Sequence, residues 1–265
     1  MKLSITCIGH NEAYHLKELL PELLKWGDEV IYVDCESDDG SFELAESLGC
    51  RVFRRPNNMN LNVNKSYAME QATGDWIFYV DPDERFEREL IDEVKQTLSV
   101  TTASAFKLSR KNHFFGQWLQ HGGQFPDTQL RLFKKGQGHF PNEHVHESLK
   151  IDGTIGSLKN PMLHYPYLTI SQFLKKMDFY STFEAKHLYE QGVRPSFKNC
   201  FYYLWYKPKT RFLRRWIVKG GFRDGIPGFF AALFDAIGWM LRYFKLWEMT
   251  KGHSGTPKAL EKKSD

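Results

Sequence analysis

Apolar runs and helix-like stretches alternate at a regular pitch through the first hundred residues, and this alternation limits the fold more than any other feature. Residues 3–8 read as a buried strand. Residues 14–26 read as a helix, because Leu16, Leu19, Leu20, Leu23 and Leu24 share one face at helical spacing. Residues 29–33 (EVIYV) form a second expected strand ending at Asp34, and 41–48 a short helix closed by Gly49. Residues 51–53 are a third strand, 62–72 a helix, 76–80 (WIFYV) a fourth strand ending at Asp81, and 87–98 a further helix. Such a repeat predicts an α/β chain with a mostly parallel sheet and flanking helices on both faces. In sheets of this kind ligands bind beyond the carboxyl ends of the strands. After Ala103 the pattern loosens. Short strand-like runs at 105–108 and 130–133 are separated by Gly, Asn and His, as expected of an irregular second half that closes one side of a site. Residues 168–190 read as a long helix, started by Thr169 or Ser171 and stopped by Gly192.

The carboxyl ends of three of these strands collect polar groups: His10-Asn11-Glu12, the run DCESDDGS from Asp34 to Ser41, and DPDE from Asp81 to Glu84. Crowded carboxylates cost free energy unless cations or hydrogen-bond donors share them. Asp81 and Asp83 offer hard oxygen ligands for a divalent metal and leave positions for phosphate oxygens; the bland alternative is a solvated loop. The 34–41 run can accept from ribose hydroxyls or a base N–H, with Gly40 allowing close backbone approach. Its alternative is helix capping by Ser37, Asp38 or Asp39. GHNEA after the first strand is not GxGxxG, and GxxxxGK[ST] is absent, which disfavours dinucleotide and P-loop chemistry.

These motifs carry a resemblance. HNEA, VDCESDDGS, Lys65 ahead of ATGDW, and DPDE are similar to the motif set of inverting family 2 glycosyltransferases of GT-A (Rossmann-like) fold. QLRLFKKGQGHFPNEHVHESL, followed by LHYPY and LKKMDFYSTFEAK, resembles the subgroup that adds hexoses to the lipopolysaccharide inner core or related bacterial glycans. The resemblance implies a Mg2+ or Mn2+ ion held by Asp83 with Asp81, and His164 as a third ligand. It implies donor contacts from Asn11, Glu12, Asp34, Ser37, Asp39, Lys65, Asp81 and Arg131. The catalytic base is expected to be Glu147 in the VHE segment, with Glu143 and Glu84 as competitors and His146 as an orienting neighbour. Lys65-Ser66 departs from the basic-Asn pair of many relatives, so Ser66 inherits no role. The implied reaction moves a hexose, with glucose the expected sugar, from a UDP-sugar to a lipid-linked bacterial saccharide with inversion. Two rivals are a catalytically silent, membrane-attached nucleotide- or glycan-binding protein and a zinc hydrolase built on His139, His144 and His146. The latter lacks HExxH and leaves the strand-end acids unexplained.

Composition matters most toward the C-terminus. The chain has 265 residues and a net charge of +4, but 12 Lys+Arg face 3 Asp+Glu between Arg194 and Lys251, so the remainder is net acidic. Residues 197–247 also hold 16 of the 40 aromatics. Rings interleaved with cations suit helices lying in an anionic membrane interface; packing on the catalytic domain or another subunit, and RNA binding, are alternatives. No nucleic acid partner is expected. The N-terminus does not read as a signal peptide, and no charge-free stretch reaches about 18 apolar residues. Four cysteines without CxxC spacing fit a reduced compartment. The expected organisation is a catalytic domain over 1–195, a membrane-associating helical segment over 196–251 and a solvated tail over 252–265, located peripherally on the cytoplasmic face of the inner membrane.

Overall fold

The computed structural model describes residues 1–58, 60–141 and 148–251. Strand β1 (Leu3–Gly9) is buried along its whole length. Helix α1 (Ala13–Leu23) follows, and its inward Leu16, Leu19, Leu20 and Leu23 are inaccessible to solvent. Pro21 removes one helical N–H near its end, and the helix stops three residues earlier than the leucine pattern suggests. Then come β2 (Glu29–Asp34), α2 (Ser41–Ser47), β3 (Arg51–Arg54), α3 (Leu61–Gln71, capped by the Asn60 side chain) and the wholly buried β4 (Trp76–Val80). A two-residue β5 (Glu84–Arg85) precedes α4 (Arg88–Val100), which buries Leu90, Val94 and Leu98 on one side.

β1 pairs in parallel with β2 on one side and β4 on the other, and β3 adds to β2 in parallel. Strands flanked on both edges and covered on both faces read as unbroken apolar runs, which is why LSITCIG and WIFYV were legible. In register, Gly9 lies opposite Asp34 and Cys7 opposite Val80. The three polar strand ends therefore emerge at one level of the sheet.

Beyond β4 the sheet turns mixed. β6 (Ala105–Phe114), the short β7 (Gln117–Trp118), β8 (Asp127–Lys134), β9 (Gly138–His139), β10 (Lys150–Ile151), β11 (Ile155–Ser157) and β12 (Met162–Tyr167) follow in the chain. The main sheet runs β3-β2-β1-β4-β8-β6-β12-β5, with β8 antiparallel to β4 and β6. β9 and β10 make a separate small antiparallel pair.

The chain forms two compact units: residues 1–111 with 126–164, and residues 112–125 with 165 onward. The second contains α5 (Ile170–Glu190), opened by a capping box of Thr169 and Gln172. It continues with α6 (Phe197–Phe201) and α7 (Lys207–Leu213), then a tight turn at Gly221–Asp224 and α8 (Gly225–Thr250). α5 packs within the helical unit, where Ala185 meets Tyr243 and Leu246 of α8. Residues 252–265 lie outside the described residues.

Candidate active site

The loops after β1 and β2 are zipped to each other. Asn11, with φ +57°, turns its N–H to the Ser37 hydroxyl at 2.9 Å, and its side-chain oxygen accepts from the Asp38 N–H at 2.9 Å. The Glu12 N–H donates to Ser41 Oγ at 3.0 Å. Asp39 accepts from the backbone N–H of Ala13 at 2.9 Å and of Ser41 at 3.0 Å. So Asn11, Ser37 and Asp39 serve first to fix the loops, and Asp39 joins the starts of α1 and α2. Gly40 has φ +87°, a left-handed backbone conformation that favours glycine.

Asp34 ends β2 with no exposure. One carboxylate oxygen accepts from the Ser37 N–H at 3.1 Å and lies 3.7 Å from Arg54 Nε. The other, Oδ1, is buried and has no hydrogen-bond partner among the described residues. A buried carboxylate oxygen without a donor is unused acceptor capacity at this strand end.

After β4, Asp81 sits between Lys65 Nζ at 3.0 Å and the Arg131 guanidinium. Arg131, on β8, is only 2% exposed, bonds Glu84 as well, and lies 4.4 Å over the Tyr79 ring. Burial works against ionising Asp81, but Arg131 and Lys65 outweigh it and hold the carboxyl well below the usual range. Burial also opposes the Lys65 charge, yet Asp81 keeps the ammonium pKa above normal. Glu84 moves the other way: burial pushes its pKa up, Arg131 offsets that in part, and Asp81 adds to it. Glu84, fully buried and spent on Arg131 and the Asp81 N–H, holds the cluster together and is not placed to act as a base. Beside these groups opens a cavity of about 510 Å³ lined by Lys65, Tyr79, Asp81, Lys107, Arg110 and Arg131.

Asp83 faces another way. The antiparallel pairing of β12 with β5 sets His164 opposite Glu84, and His164 Nε2 then lies 3.4 Å from Asp83 Oδ1. A carboxylate oxygen and an imidazole nitrogen at this separation fit two positions around one divalent ion, with room for phosphate oxygens. Asp81, expected as a ligand beside Asp83, instead spends its carboxylate on two cations. Among the described residues no third His, Cys, Asp or Glu joins the pair. Glu147, the expected base, lies outside the described residues, as do Glu143, His144 and His146. His139 stands on β9 near Asp152, which gives the zinc reading no ligand set among the described residues.

Two contributors were not picked out in the sequence. Arg85 ties the DPDE turn down, donating to Pro82 O at 3.0 Å and to His15 O at 3.2 Å. Arg110 lies 3.8 Å from Glu84 and bonds Asp127 at 2.6 Å. An arginine directly after DPDE was the one available signal.

Comparison with known proteins finds relatives over nearly the whole chain. Over 256 residues the chain is 27% identical to the lipopolysaccharide core biosynthesis glycosyltransferase LpsC of Rhizobium meliloti (strain 1021), covering 94% of this chain and 93% of that one. It is 29% identical over 263 residues to an uncharacterized glycosyltransferase of Rickettsia felis, covering 93% and 90%. Among solved structures, S. aureus TarS 1-349 aligns over 95% of this chain and 92% of its own, at 16% identity and a TM-score of 0.49. Glucosyl-3-phosphoglycerate synthase from Mycobacterium tuberculosis, solved with Mn2+ and UDP, aligns over 42% and 44%, at 16% identity and a TM-score of 0.36. The profile of Glycosyl transferase family 2 matches residues 4–149, which span β1, all three strand-end loops and Arg131 and make up more than half of the chain, and the protein belongs to that family.

Proposed function

We propose that this glycosyltransferase moves a hexose, with glucose the first sugar to test, from a UDP-sugar to a lipid-linked saccharide of the lipopolysaccharide-core class, with inversion and with a divalent metal. The observation that carries the reading is the pairing of Asp83 with His164 beside the Lys65–Asp81–Arg131 cluster, at the strand ends where Asp34 keeps one acceptor oxygen open. The acceptor class is supported by the near full-length similarity to LpsC. Such an acceptor would be met at the cytoplasmic face of the inner membrane, the location we propose.

In this reading Asp34 Oδ1 accepts from the base or ribose, and the zipped 10–13 and 37–41 loops hold that carboxylate in place. Asp83 and His164 would hold Mg2+ or Mn2+, which supplies charge neutralisation for the leaving diphosphate. Lys65 and Arg131 add positive charge to the same region, and Asp81 fixes where they point. The acceptor hydroxyl oxygen forms its bond to the anomeric carbon on the face opposite UDP while the bond to the diphosphate oxygen breaks. The hydroxyl proton passes to a carboxylate, assigned to Glu147 on sequence grounds. Incubating the protein with UDP-glucose, Mn2+ and a truncated lipopolysaccharide acceptor should give a product whose anomeric configuration, read by NMR, is opposite to that of the donor. Retention of configuration would refute the single-displacement chemistry.

A further inference from the structure

From Phe197 to Val218 the backbone is one continuous helix in which α geometry (Phe197–Phe201, Lys207–Leu213) alternates with π geometry (Tyr202–Tyr206, Arg214–Val218). On a pure α-helix, positions four apart drift by about 40° per step. π segments, closed by i→i+5 bonds, run at about 4.4 residues per turn. Mixed as here, the helix averages about 3.9 residues per turn, so every fourth residue falls on nearly one line. The residues on that line are Phe197, Phe201, Trp205, Lys209, Leu213 and Ile217. All are exposed, Phe197 by 91% and Trp205 by 70%. Close to the end of the helix Val218, Phe222 and Ile226 are exposed as well.

The same stretch is cationic. Lys198, Lys209, Arg214, Lys219 and Arg223 are exposed. Its one acidic residue, Asp224, is buried and accepts from the His121 N–H at 2.8 Å. Arg211 and Arg215 are spent on Asp235 at 2.7 and 3.0 Å. Gly221–Thr250 is long and apolar enough to cross a membrane. Three of its charges are paired sideways within the helical unit: Asp235 with those arginines, Arg242 with Glu184 at 3.1 Å, and Lys245 with Asp178 at 2.6 Å.

We propose that the 197–226 face docks on an anionic lipid bilayer, the helix lying in the membrane plane with its straight line of rings and aliphatics at headgroup depth and its cations toward lipid phosphates. The π segments are the device that keeps the line straight. The biological role of this face rests on the lipid-linked acceptor proposed above, but the contact itself is tested without any sugar.

Full-length protein is sedimented with vesicles of phosphatidylcholine, with or without phosphatidylglycerol. Binding should require the anionic lipid at low affinity limits and weaken, without vanishing, as salt rises. Trp205→Ser with Ile217→Ser, both at exposed positions, should cut binding roughly tenfold or more at any salt. Lys209→Glu with Arg214→Glu should do so at low salt and much less at high salt. In a Cys200→Ser background, spin labels at 201, 205, 213 and 217 should report one common depth in the bilayer, and a label at Gln191 should stay in water. Four results would overturn the proposal: no binding to anionic vesicles at low salt; binding indifferent to Trp205→Ser with Ile217→Ser; self-association abolished by those serines in place of vesicle binding, which would assign the face to a second copy; or resistance to carbonate extraction, which would make α8 a spanning helix.

Discussion

His164 Nε2 lies 3.4 Å from Asp83 Oδ1, joining the last strand of the sheet to the turn after β4. If the two groups share a metal, His164→Ala should raise the Mn2+ concentration for half-maximal UDP release at least roughly tenfold. The fold should survive, since both side chains are partly exposed and neither lies in a hydrophobic core cluster. Rates measured across a Mn2+ titration, with a thermal melt of the variant, check this. An unchanged Mn2+ dependence would remove His164 from the site.

Arg131 satisfies two carboxylates while only 2% exposed. Arg131→Met should therefore destabilise the protein by about 3–5 kcal/mol, because it leaves Glu84 and Asp81 short of their main cation. Adding Glu84→Gln should recover part of that loss. Urea denaturation of the single and double variants measures the coupling; simple additivity would mean that the pair is not interacting.

Glu29 anchors the opposite end of the sheet. It accepts from the Ser4 hydroxyl and the Thr73 amide, and pairs with Arg51 at 2.7 Å. Burial opposes its ionisation, but Ser4, Thr73 and Arg51 outweigh it and lower its pKa from 4.5 to about 2. A folded-state pKa below the unfolded one means stability that is present above pH 4.5 and lost as pH falls toward 2. Glu29→Gln should cost about 2 kcal/mol at neutral pH and flatten the loss of stability through that acid window. Chemical denaturation at a series of pH values reads both effects; an acid limb as steep as in the wild type would contradict the assignment.

Asp34→Asn keeps the shape of the side chain and removes its charge. UDP affinity should drop roughly tenfold or more, with the melting temperature nearly unchanged, because a strong acceptor is replaced by a weaker one. Calorimetric titration with UDP decides this, and wild-type affinity in the variant would place the nucleoside elsewhere.

The parallel half of the fold was legible because each central strand is covered on both faces and so reads as an unbroken apolar run. β5 was not, having two residues and no pattern of its own; with it went the pairing that carries His164 to Asp83. His164 was nevertheless expected from the family resemblance. Asp81 and Asp83 look alike in DPD, and only the positions of Lys65, on α3, and Arg131, on β8, distinguish a carboxylate held by cations from one facing a histidine. Charge counting alone likewise does not reveal that Arg211 and Arg215 are paired. Their partner Asp235 lies 24 and 20 residues onward, on a different helix, and lone cations and paired ones look the same in a sequence.

The account stands most directly on metal-dependent use of a nucleotide sugar through Asp83. UDP release from a panel of UDP-hexoses, followed with Mn2+ and with chelator for wild type and Asp83→Ala, measures it. The account predicts turnover of at least one UDP-hexose that is lost with chelator, restored by Mn2+, and absent in a folded Asp83→Ala protein. Turnover by Asp83→Ala close to wild type at saturating Mn2+ would contradict it.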